Sequence, residues 1–309
     1  MKRRAFLGLL SATTASALAP TASANTTLRT AALSLAAPAS QAEAVRFIVF
    51  GDSGKGNTEQ HELGRTMAAH HWERFYDMAL MLGDNIYPSG DPDDMVKKFE
   101  RPYAELLKRG VSFYASLGNH DVRKGREAQI NYRNFNMGGR AYYTLTRGDG
   151  LAEFFALDST RFDLRQRRWL EGALQASQAK WKIAFFHHPL YSSADKHGSH
   201  LELRAELEPI LVKSGVDVVF SGHDHTYERV KPQQGVQYFV SGAAAAPRRG
   251  DLERDSPFIA VGNDETSSFM SIEITPERFS FKAIDVGGRV IDSGELTPRA
   301  LAREAATSE

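Results

Sequence analysis

The apolar residues of this chain fall into short runs separated by longer mixed segments, beginning at Arg46. Runs of about four to eight apolar residues are typical of buried strands, and apolar residues three or four apart are typical of helices. On this basis we expect strands at 46–50, 78–82, 112–117, 141–147, 151–157, 181–186 and 216–220. We expect helices from Asn57 or Thr58 to about Tyr76 and over 92–108, 164–176 and 201–213.

The pattern changes in the C-terminal part, where apolar runs follow one another without helices between them. Strands are expected at 236–240, 269–274, 278–284 and 289–293. Strand–helix units followed by a strand-rich segment are typical of two packed sheets with helices outside. Residues 242–267 show little periodicity, so we expect a long loop there, and loops of that length are often functional. Its arginines are interpreted as solvent-exposed, with contact to a substrate phosphate as the alternative; they are Arg248, Arg249 and Arg254.

Residues 1–24 have the pattern of an export signal. Arg3 and Arg4 precede a short apolar run, and small residues follow up to Ala24. This order is typical of a signal peptide, and the paired arginines favour the twin-arginine type over an ordinary secretory signal. The apolar run is too short to cross a membrane. The rest of the chain is expected to divide into a flexible leader over 25–44, one folded domain over 45–296 and a tail over 297–309.

Charge and composition exclude several classes of function. Lys plus Arg and Asp plus Glu number 38 each among 309 residues, so no net basic field exists to hold nucleic acid. The absence of cysteine excludes disulfides, thiolate metal sites and cysteine nucleophiles. No Gly-x-Ser-x-Gly elbow is present, which argues against a serine hydrolase.

Five short motifs of Gly, Asp, Asn or His each begin just after an expected strand. They are Gly51-Asp52-Ser53-Gly54, Gly83-Asp84-Asn85-Ile86-Tyr87, Gly118-Asn119-His120-Asp121, His187-His188-Pro189 and Gly222-His223-Asp224-His225. In open α/β sheets the loops beyond the carboxyl ends of the strands converge on one crevice. Residues far apart in sequence are therefore expected to meet there.

These motifs offer hard oxygen and imidazole nitrogen ligands and no sulfur. Such a set suits Fe(III), Zn(II), Mn(II) or Mg(II). Seven candidate ligands are too many for one tetrahedral zinc and enough for two ions that share a carboxylate; they are Asp52, Asp84, Tyr87, Asn119, His187, His223 and His225. Two ions about 3.5–4 Å apart can clamp the attacking and leaving oxygens of an in-line displacement.

Each motif alone also has an ordinary structural explanation. Asp52 can cap a turn, and His187 beside His188 can be a buried packing pair. His223 and His225 are the strongest pair, because alternate residues of an extended segment point to the same side. The occurrence of all five motifs after expected strands favours a shared metal site.

The five motifs in this order resemble the calcineurin-like metallophosphoesterases over residues 46–296. Tyr87 follows Asp84 at the spacing where purple acid phosphatases of that superfamily carry a metal-binding tyrosine. The small, tartrate-resistant type of purple acid phosphatase is similar to the stretches HHPLYSSADKHGSH (187–200), GHDHTYER (222–229) and YFVSGAA (238–244). Two departures concern substrate specificity: His188 stands where that type usually has tyrosine, and the run after His225 is closer to the plant-type pattern.

The resemblance implies a role for each candidate ligand. Fe(III) would be bound by Asp52, Tyr87 and His225. A second, divalent ion, which is Fe, Zn or Mn, would be bound by Asn119, His187 and His223. Asp84 would bridge both ions. A phenolate is a hard anionic donor, so Tyr87 would favour Fe(III) and colour the protein purple or pink.

Three further histidines are candidates for catalytic roles, namely His120, His188 and His197. His120 and His197 are candidates to bind phosphate or to protonate the leaving oxygen. His197 matches a histidine in the family's active-site wall, and a solvent-facing loop residue is the alternative. His188 is interpreted as a helper or orienting group, with packing as the alternative. His200 is interpreted as a helix-start residue.

The resulting expectation is an α/β fold, a four-layer α/β/β/α sandwich of two mixed sheets with helices outside and a dinuclear site at the sheet ends. Its function would be that of an exported acid phosphatase that hydrolyses phosphomonoesters with metal-activated hydroxide. The alternatives are a phosphodiesterase or nucleotidase of the same superfamily and a non-catalytic periplasmic protein that binds metal or phosphate. We expect a bacterial, periplasmic or secreted monomer that meets small phosphoesters and the twin-arginine export machinery, without dedicated nucleic-acid binding.

Overall fold

The computed structural model describes residues 44–299. The expected signal peptide over 1–24, the leader up to residue 43 and the tail from residue 300 lie outside the described residues. Within 44–299, no helix has both the length and the apolar composition that crossing a membrane requires.

Thirteen strands and five α-helices make up the described part of the chain. The strands are β1 (Val45–Phe50), β2 (Met78–Met81), β3 (Ser112–Ala115), β4 (Tyr143–Arg147), β5 (Ala152–Ala156), β6 (Trp181–Phe185), β7 (Val218–Ser221), β8 (Tyr227–Val230), β9 (Gln237–Ser241), β10 (Ile259–Asn263), β11 (Ser268–Ile274), β12 (Phe279–Asp285) and β13 (Val290–Leu296). The helices are α1 (Thr58–Glu73), α2 (Ala104–Lys108), α3 (Arg126–Ile130), α4 (Leu164–Ala176) and α5 (Leu201–Lys213).

The strands form two mixed sheets. The first has six strands in the order β13-β12-β11-β1-β2-β3, with β1, β2 and β3 parallel and β11 to β13 antiparallel. The second has seven strands in the order β10-β8-β9-β7-β6-β5-β4, with β5, β6, β7 and β9 parallel. The parallel strands of each sheet therefore end at one common edge, and the loops that follow them lie together.

Aromatic side chains fill the space between the sheets. Phe47 of β1 meets Phe154 of β5 and Phe220 of β7 edge to face, with ring centroids 5.1 and 6.4 Å apart. Successive residues of a strand face opposite sides, so Phe155 instead joins the cluster beneath the outer helices. Full burial of such a side chain contributes about 1.5–3 kcal/mol to the free energy of unfolding. Both faces of β5 are buried from Phe154 to Ala156, and the sequence is apolar throughout that stretch.

Helices cover the outer faces of both sheets. The second sheet is covered by α4 and α5, whose leucines share the buried cluster of Phe155; they include Leu170, Leu174, Leu207 and Leu211. The first sheet is covered by α1, where Thr66 donates to the Val286 carbonyl over 2.6 Å and His70 bonds Ser271 of β11 over 2.8 Å. The expected sandwich of two mixed sheets with helices outside is confirmed.

Three segments differ from the expectation. The helix expected over 92–108 is divided into a 3₁₀ turn at Pro92–Asp94, a π-helical stretch at Val96–Glu100 and α2. The interruption before α2 contains Pro102, which has no N–H to continue the hydrogen-bond ladder. The loop expected over 242–267 contains β10, a partly exposed edge strand. Strand β8 was not expected, because two charged residues interrupt its apolar pattern.

Candidate metal centre

The five polar motifs lie at one edge of the two sheets. They follow β1, β2 and β3 of the first sheet and β6 and β7 of the second. The structure brings all seven candidate ligands together there, and pairs of their side-chain atoms lie 2.9–3.6 Å apart. That these side chains bind metal stays a prediction.

Three of the motif residues have left-handed backbone conformations that side chains seldom adopt. Their φ angles are 59° at Asp52, 52° at Asp84 and 72° at His223. Such conformations cost about 1–3 kcal/mol each and cluster at functional sites. Gly118 leaves room for one of them, because a Cβ atom there would lie 2.2 Å from Oδ1 of Asp84.

The Tyr87 hydroxyl lies between Asp52 and His225. Its Oη donates to Oδ1 of Asp52 over 2.9 Å and lies 3.0 Å from Nε2 of His225, which is itself 3.6 Å from Oδ1 of Asp52. Nδ1 of His225 lies 2.7 Å from the Ala246 carbonyl, so Nδ1 carries the proton and the Nε2 lone pair faces Tyr87. Oη of Tyr87, Oδ1 of Asp52 and Nε2 of His225 are atoms of the kind that bind a hard metal cation.

A second cluster contains Asn119, His187 and His223. Nε2 of His187 lies 3.0 Å from Oδ1 of Asn119 and 3.1 Å from Nδ1 of His223. Nδ1 of His187 donates to the Leu82 carbonyl over 2.9 Å, which leaves the Nε2 lone pair facing the cluster. The backbone N–H of His223 donates to Oδ2 of Asp52 over 2.8 Å and so joins the two clusters.

Asp84 lies between the two clusters. Its Oδ1 is 3.6 Å from Nε2 of His187 and accepts the backbone N–H of His120 over 2.9 Å. Asp52, Asp84 and His187 each offer one donor atom, and the three atoms lie within 4.8 Å of one another. This is the position that a bridging carboxylate requires.

The protein alone does not neutralise the negative charge of the two carboxylates in the site. Asp52 and Asp84 are 0% and 2% exposed, and among the described residues neither has a Lys or Arg ion-pair partner. Burial, and then the charge of Asp84, raise the pKa of Asp52 well above its usual value. Burial and the charge of Asp52 also raise the pKa of Tyr87. Because unpaired buried carboxylates are costly, these residues fit a bound cation.

The histidines of the site are held in the neutral form that binds metals. Burial lowers the pKa of His187 and His223. Burial and then the charge of Arg248 lower the pKa of His225 to about 4. Since only a deprotonated imidazole nitrogen is a ligand, these shifts prepare the rings for metal binding.

His120 borders the site from the Asp84 side. Its Nδ1 lies 2.7 Å from the Pro88 carbonyl and its Nε2 lies 3.9 Å from Oδ2 of Asp84. Its ring centroid is 4.6 Å from that of Tyr87. The bond to Pro88 fixes the ring so that Nε2 is directed toward the site.

The other two candidate catalytic histidines surround His223. The ring of His197 lies 4.3 Å from that of His223, and the ring of His188 lies 4.6 Å from it. Nδ1 of His188 also bonds the hydroxyl of Ser159 at 2.9 Å. His200 begins α5, where its Nδ1 accepts a backbone N–H over 3.2 Å, as expected of a helix-start residue.

Asp121 is a positioning residue whose role was not expected from the motifs. Its carboxylate accepts the backbone N–H groups of Gly118, Asn85 and Ile86 over 2.9, 3.1 and 3.0 Å, and the Gln129 amide over 2.7 Å. Burial and then the nearby Asp84 charge raise its pKa to about 7. Its position in one of the five motifs was the only indication in the sequence that Asp121 has a role. Its hydrogen-bond partners lie in two other segments and could not be predicted from the sequence.

The arginines of 242–267 differ in exposure. Arg249 and Arg254 have side chains 75% and 63% exposed, as expected. The side chain of Arg248 is only 26% exposed, and its backbone N–H donates to the His225 carbonyl over 3.0 Å. The expectation was wrong for Arg248, because its loop bonds directly to a site motif.

Comparison with known proteins agrees with this geometry. Residues 45–227 match the profile of the calcineurin-like phosphoesterases. The chain is 28% identical to purple acid phosphatase 17 of Arabidopsis thaliana over 287 residues, which cover 82% of this chain and 85% of that protein. It is 25% identical to tartrate-resistant acid phosphatase type 5 of Mus musculus over 298 residues, which cover 82% of this chain and 91% of that protein.

A solved structure shares the fold. Purple acid phosphatase PPD1 from yellow lupin (Lupinus luteus) seeds superposes with a TM-score of 0.70 at 18% identity, covering 82% of this chain and 54% of that one. At this identity the likeness concerns the fold alone. The family profile spans all five motifs, so the resemblance stated from the motifs is confirmed. The chain belongs to the calcineurin-like phosphoesterase family.

Proposed function

We propose that this chain is an exported acid phosphatase that holds two metal ions and hydrolyses phosphomonoesters. The observation that carries the proposal is the Tyr87 hydroxyl held between Asp52 and His225 at 2.9 and 3.0 Å. A phenol beside a carboxylate and an imidazole is a hard donor set that suits Fe(III). Relatives named purple and tartrate-resistant acid phosphatases support monoesters over diesters as the substrate class.

The proposed metal ligands follow the two clusters. Fe(III) is assigned to Asp52, Tyr87 and His225. A divalent Fe, Zn or Mn ion is assigned to Asn119, His187 and His223. Asp84 is assigned as the bridge, since its Oδ1 lies 3.6 Å from Nε2 of His187 and its charge acts on Asp52.

When bound, the two ions would lower the pKa of water and neutralise charge on the phosphoryl oxygens. The histidines around the ions would bind the phosphoryl group, donate a proton or orient a neighbouring ligand. His120, fixed through the Pro88 carbonyl, directs Nε2 to the site and is assigned to bind a phosphoryl oxygen or protonate the leaving oxygen. His197 is assigned the same role from the opposite side, and His188 orients His223 through their ring contact of 4.6 Å.

The net reaction is balanced without a redox step. The oxygen of water forms a bond to phosphorus while the ester P–O bond breaks. One proton of the water ends on the leaving oxygen, so the products are an alcohol and inorganic phosphate. The role of the protein is to hold the phosphoryl group in line with the attacking and leaving oxygens.

Export is part of the proposal and rests on the sequence pattern of residues 1–24. A twin-arginine signal implies a bacterial protein delivered to the periplasm or beyond. That route carries folded proteins, which suits a metal site filled before export. The proposal takes the mature enzyme as a monomer.

Metal content and colour test the proposal directly. Protein purified from its native host should contain about two ions per chain, show a visible absorption band and hydrolyse p-nitrophenyl phosphate. Tyr87→Phe should lose the band, because the phenolate donor is removed. Tyr142→Phe is the matched control, because Tyr142 packs on Trp169 at 4.8 Å and is not a candidate ligand.

The possible outcomes separate the alternatives. Faster hydrolysis of bis(p-nitrophenyl) phosphate than of the monoester would favour a phosphodiesterase. Bound metal without turnover of any ester would favour a binding protein. A colourless, active enzyme that is indifferent to Tyr87→Phe would exclude the Fe(III)–phenolate assignment.

A further inference from the structure

A lysine ammonium that has no ion pair or hydrogen bond within the described part of the chain lies at the rim of the candidate metal centre. Nζ of Lys55 lies over the Tyr87 ring, 5.1 Å from its centroid. Among the described residues, no carboxylate or hydrogen-bond acceptor pairs with this Nζ. Burial lowers the pKa of Lys55, and Asp52 gives the strongest opposing charge effect. A cation partly removed from water and left unpaired is costly unless an anion joins it.

Arg248 is a second cation on the same rim, and its backbone is fixed to a candidate ligand. Its N–H donates to the His225 carbonyl over 3.0 Å, while Nδ1 of His225 donates to the Ala246 carbonyl over 2.7 Å. Its guanidinium donates from Nη1 to Oδ2 of Asp251 over 3.0 Å. After burial, its charge is the largest effect that lowers the pKa of both His225 and His197.

Asp251 fastens the Arg248 loop to the loop over 195–197. Its Oδ1 accepts the Lys196 N–H over 3.0 Å, and its carbonyl accepts the Asp195 N–H over 2.7 Å. Its own N–H donates to Oδ2 of the buried Asp264 over 3.0 Å. Arg248 is therefore held by its backbone and by its side chain, and the bond to Asp251 uses one of its five N–H donors.

We propose that Lys55 and Arg248 form a cationic subsite for a second anionic group of the substrate, so that the enzyme favours phosphoesters whose leaving group carries another phosphate or carboxylate. The inference rests on the proposed function, which puts the reacting phosphoryl group on the metal pair. Neither cation forms an ion pair with Asp52 or Asp84 among the described residues, so neither is consumed in neutralising the metal ligands.

The two side chains are complementary in how they bind anions. An arginine fork matches the paired oxygens of phosphate or carboxylate, and lysine acts as a compact point charge. The reaction itself is unchanged: water attacks phosphorus, the P–O bond to the leaving group breaks, and the proton goes to the departing oxygen. The subsite would hold the departing anionic group while this occurs.

Binding of non-hydrolysable anions to the metal-loaded protein tests the subsite without relying on turnover. Calorimetry should show that methylenediphosphonate binds more tightly than inorganic phosphate. In Lys55→Gln and Arg248→Gln this preference should fall about ten- to a hundredfold, because one charged hydrogen bond is lost. Arg249→Gln is the matched control, since its side chain is 75% exposed. Phosphonoacetate separates the sources: tighter binding than methylenediphosphonate would assign the subsite to carboxylates.

Steady-state kinetics provide a second test of the subsite. The ratio of kcat/KM for pyrophosphate to that for p-nitrophenyl phosphate should fall in both subsite variants and stay constant in Arg249→Gln. Arg248→Lys keeps the charge and should recover part of the ratio, and it replaces Arg248→Gln if that variant does not fold. Equal ratios in all variants would overturn the subsite. An anion preference without any ester hydrolysis would instead overturn the proposed function and leave the subsite standing.

Discussion

Asp84 combines three properties that fit a cation-binding carboxylate. It is 2% exposed, its backbone is left-handed at φ 52°, and its Oδ1 lies 3.6 Å from the buried His187. A desolvated carboxylate in a strained loop is stable only when its charge is compensated. The candidate metal centre therefore contains buried, strained groups whose free-energy cost a bound cation would offset.

Asp84→Asn tests the bridging role with little change of shape. We expect metal content to fall from about two ions per chain and kcat/KM for p-nitrophenyl phosphate to fall by about 10²–10³-fold, because the shared charge is lost. Elemental analysis and steady-state kinetics measure both effects. Asp149→Asn is the control, since Asp149 lies in the β4–β5 turn at the opposite sheet edge. If Asp84→Asn retained two ions per chain, the bridging role of Asp84 would be contradicted.

Elements were predictable from sequence where local signals agree. The bounds of α4 and α5 match the expectation, because apolar spacing and the caps Asp163 and His200 mark the same ends. Strands β8 and β10 were missed because neighbouring strands stabilise them more than their own composition does. The helix expected over 92–108 was misjudged because apolar spacing continued through Pro102.

The same distinction applies to the candidate site. That its seven candidate ligands lie together was predictable, because each follows a strand and strand ends converge in this kind of sheet. The contacts of Asp121, Lys55 and Arg248 were not, because they join segments distant in sequence. Periodicity and motifs describe one segment at a time and do not contain such contacts.

The N-terminal cap of α1 connects helix stability to the site. Oδ1 of Asn57 accepts the Gln60 N–H over 3.2 Å, and its Nδ2 donates to the Ala245 carbonyl over 2.8 Å. We expect Asn57→Ala to lower the free energy of unfolding by about 1–2 kcal/mol and to weaken phosphate binding, because the loop of Arg248 loses an anchor. Denaturant titration and calorimetry measure the two effects.

Asp163→Ala provides the matched control for Asn57→Ala. Asp163 caps α4 by accepting the N–H groups of Arg165 and Gln166 over 3.1 and 3.0 Å, and no bond joins it to the Arg248 loop. Asp163→Ala should lower the free energy of unfolding without changing phosphate affinity. Equal phosphate affinities for the two variants would show that the Asn57 bond to Ala245 does not position the loop.

The whole molecule divides the candidate ligands between its two sheets. The loops of the first sheet supply Asp52, Asp84, Tyr87 and Asn119, and the loops of the second supply His187, His223 and His225. The aromatic layer that begins at Phe47 and Phe154 sets the distance between the sheets. Ions bound to both sets would link the sheets at their open edge, so metal binding and global stability should be coupled.

Removing the metals should therefore destabilise the entire fold. An ion present at about a thousand times its dissociation constant adds about 4 kcal/mol to the free energy of unfolding. For a domain of this size, loss of two ions should lower Tm by more than about 10 °C. Calorimetry with and without a chelator measures the shift, and Asp84→Asn should show little of it. An unchanged wild-type Tm after verified metal removal would mean that the two sheets are held by the aromatic layer alone.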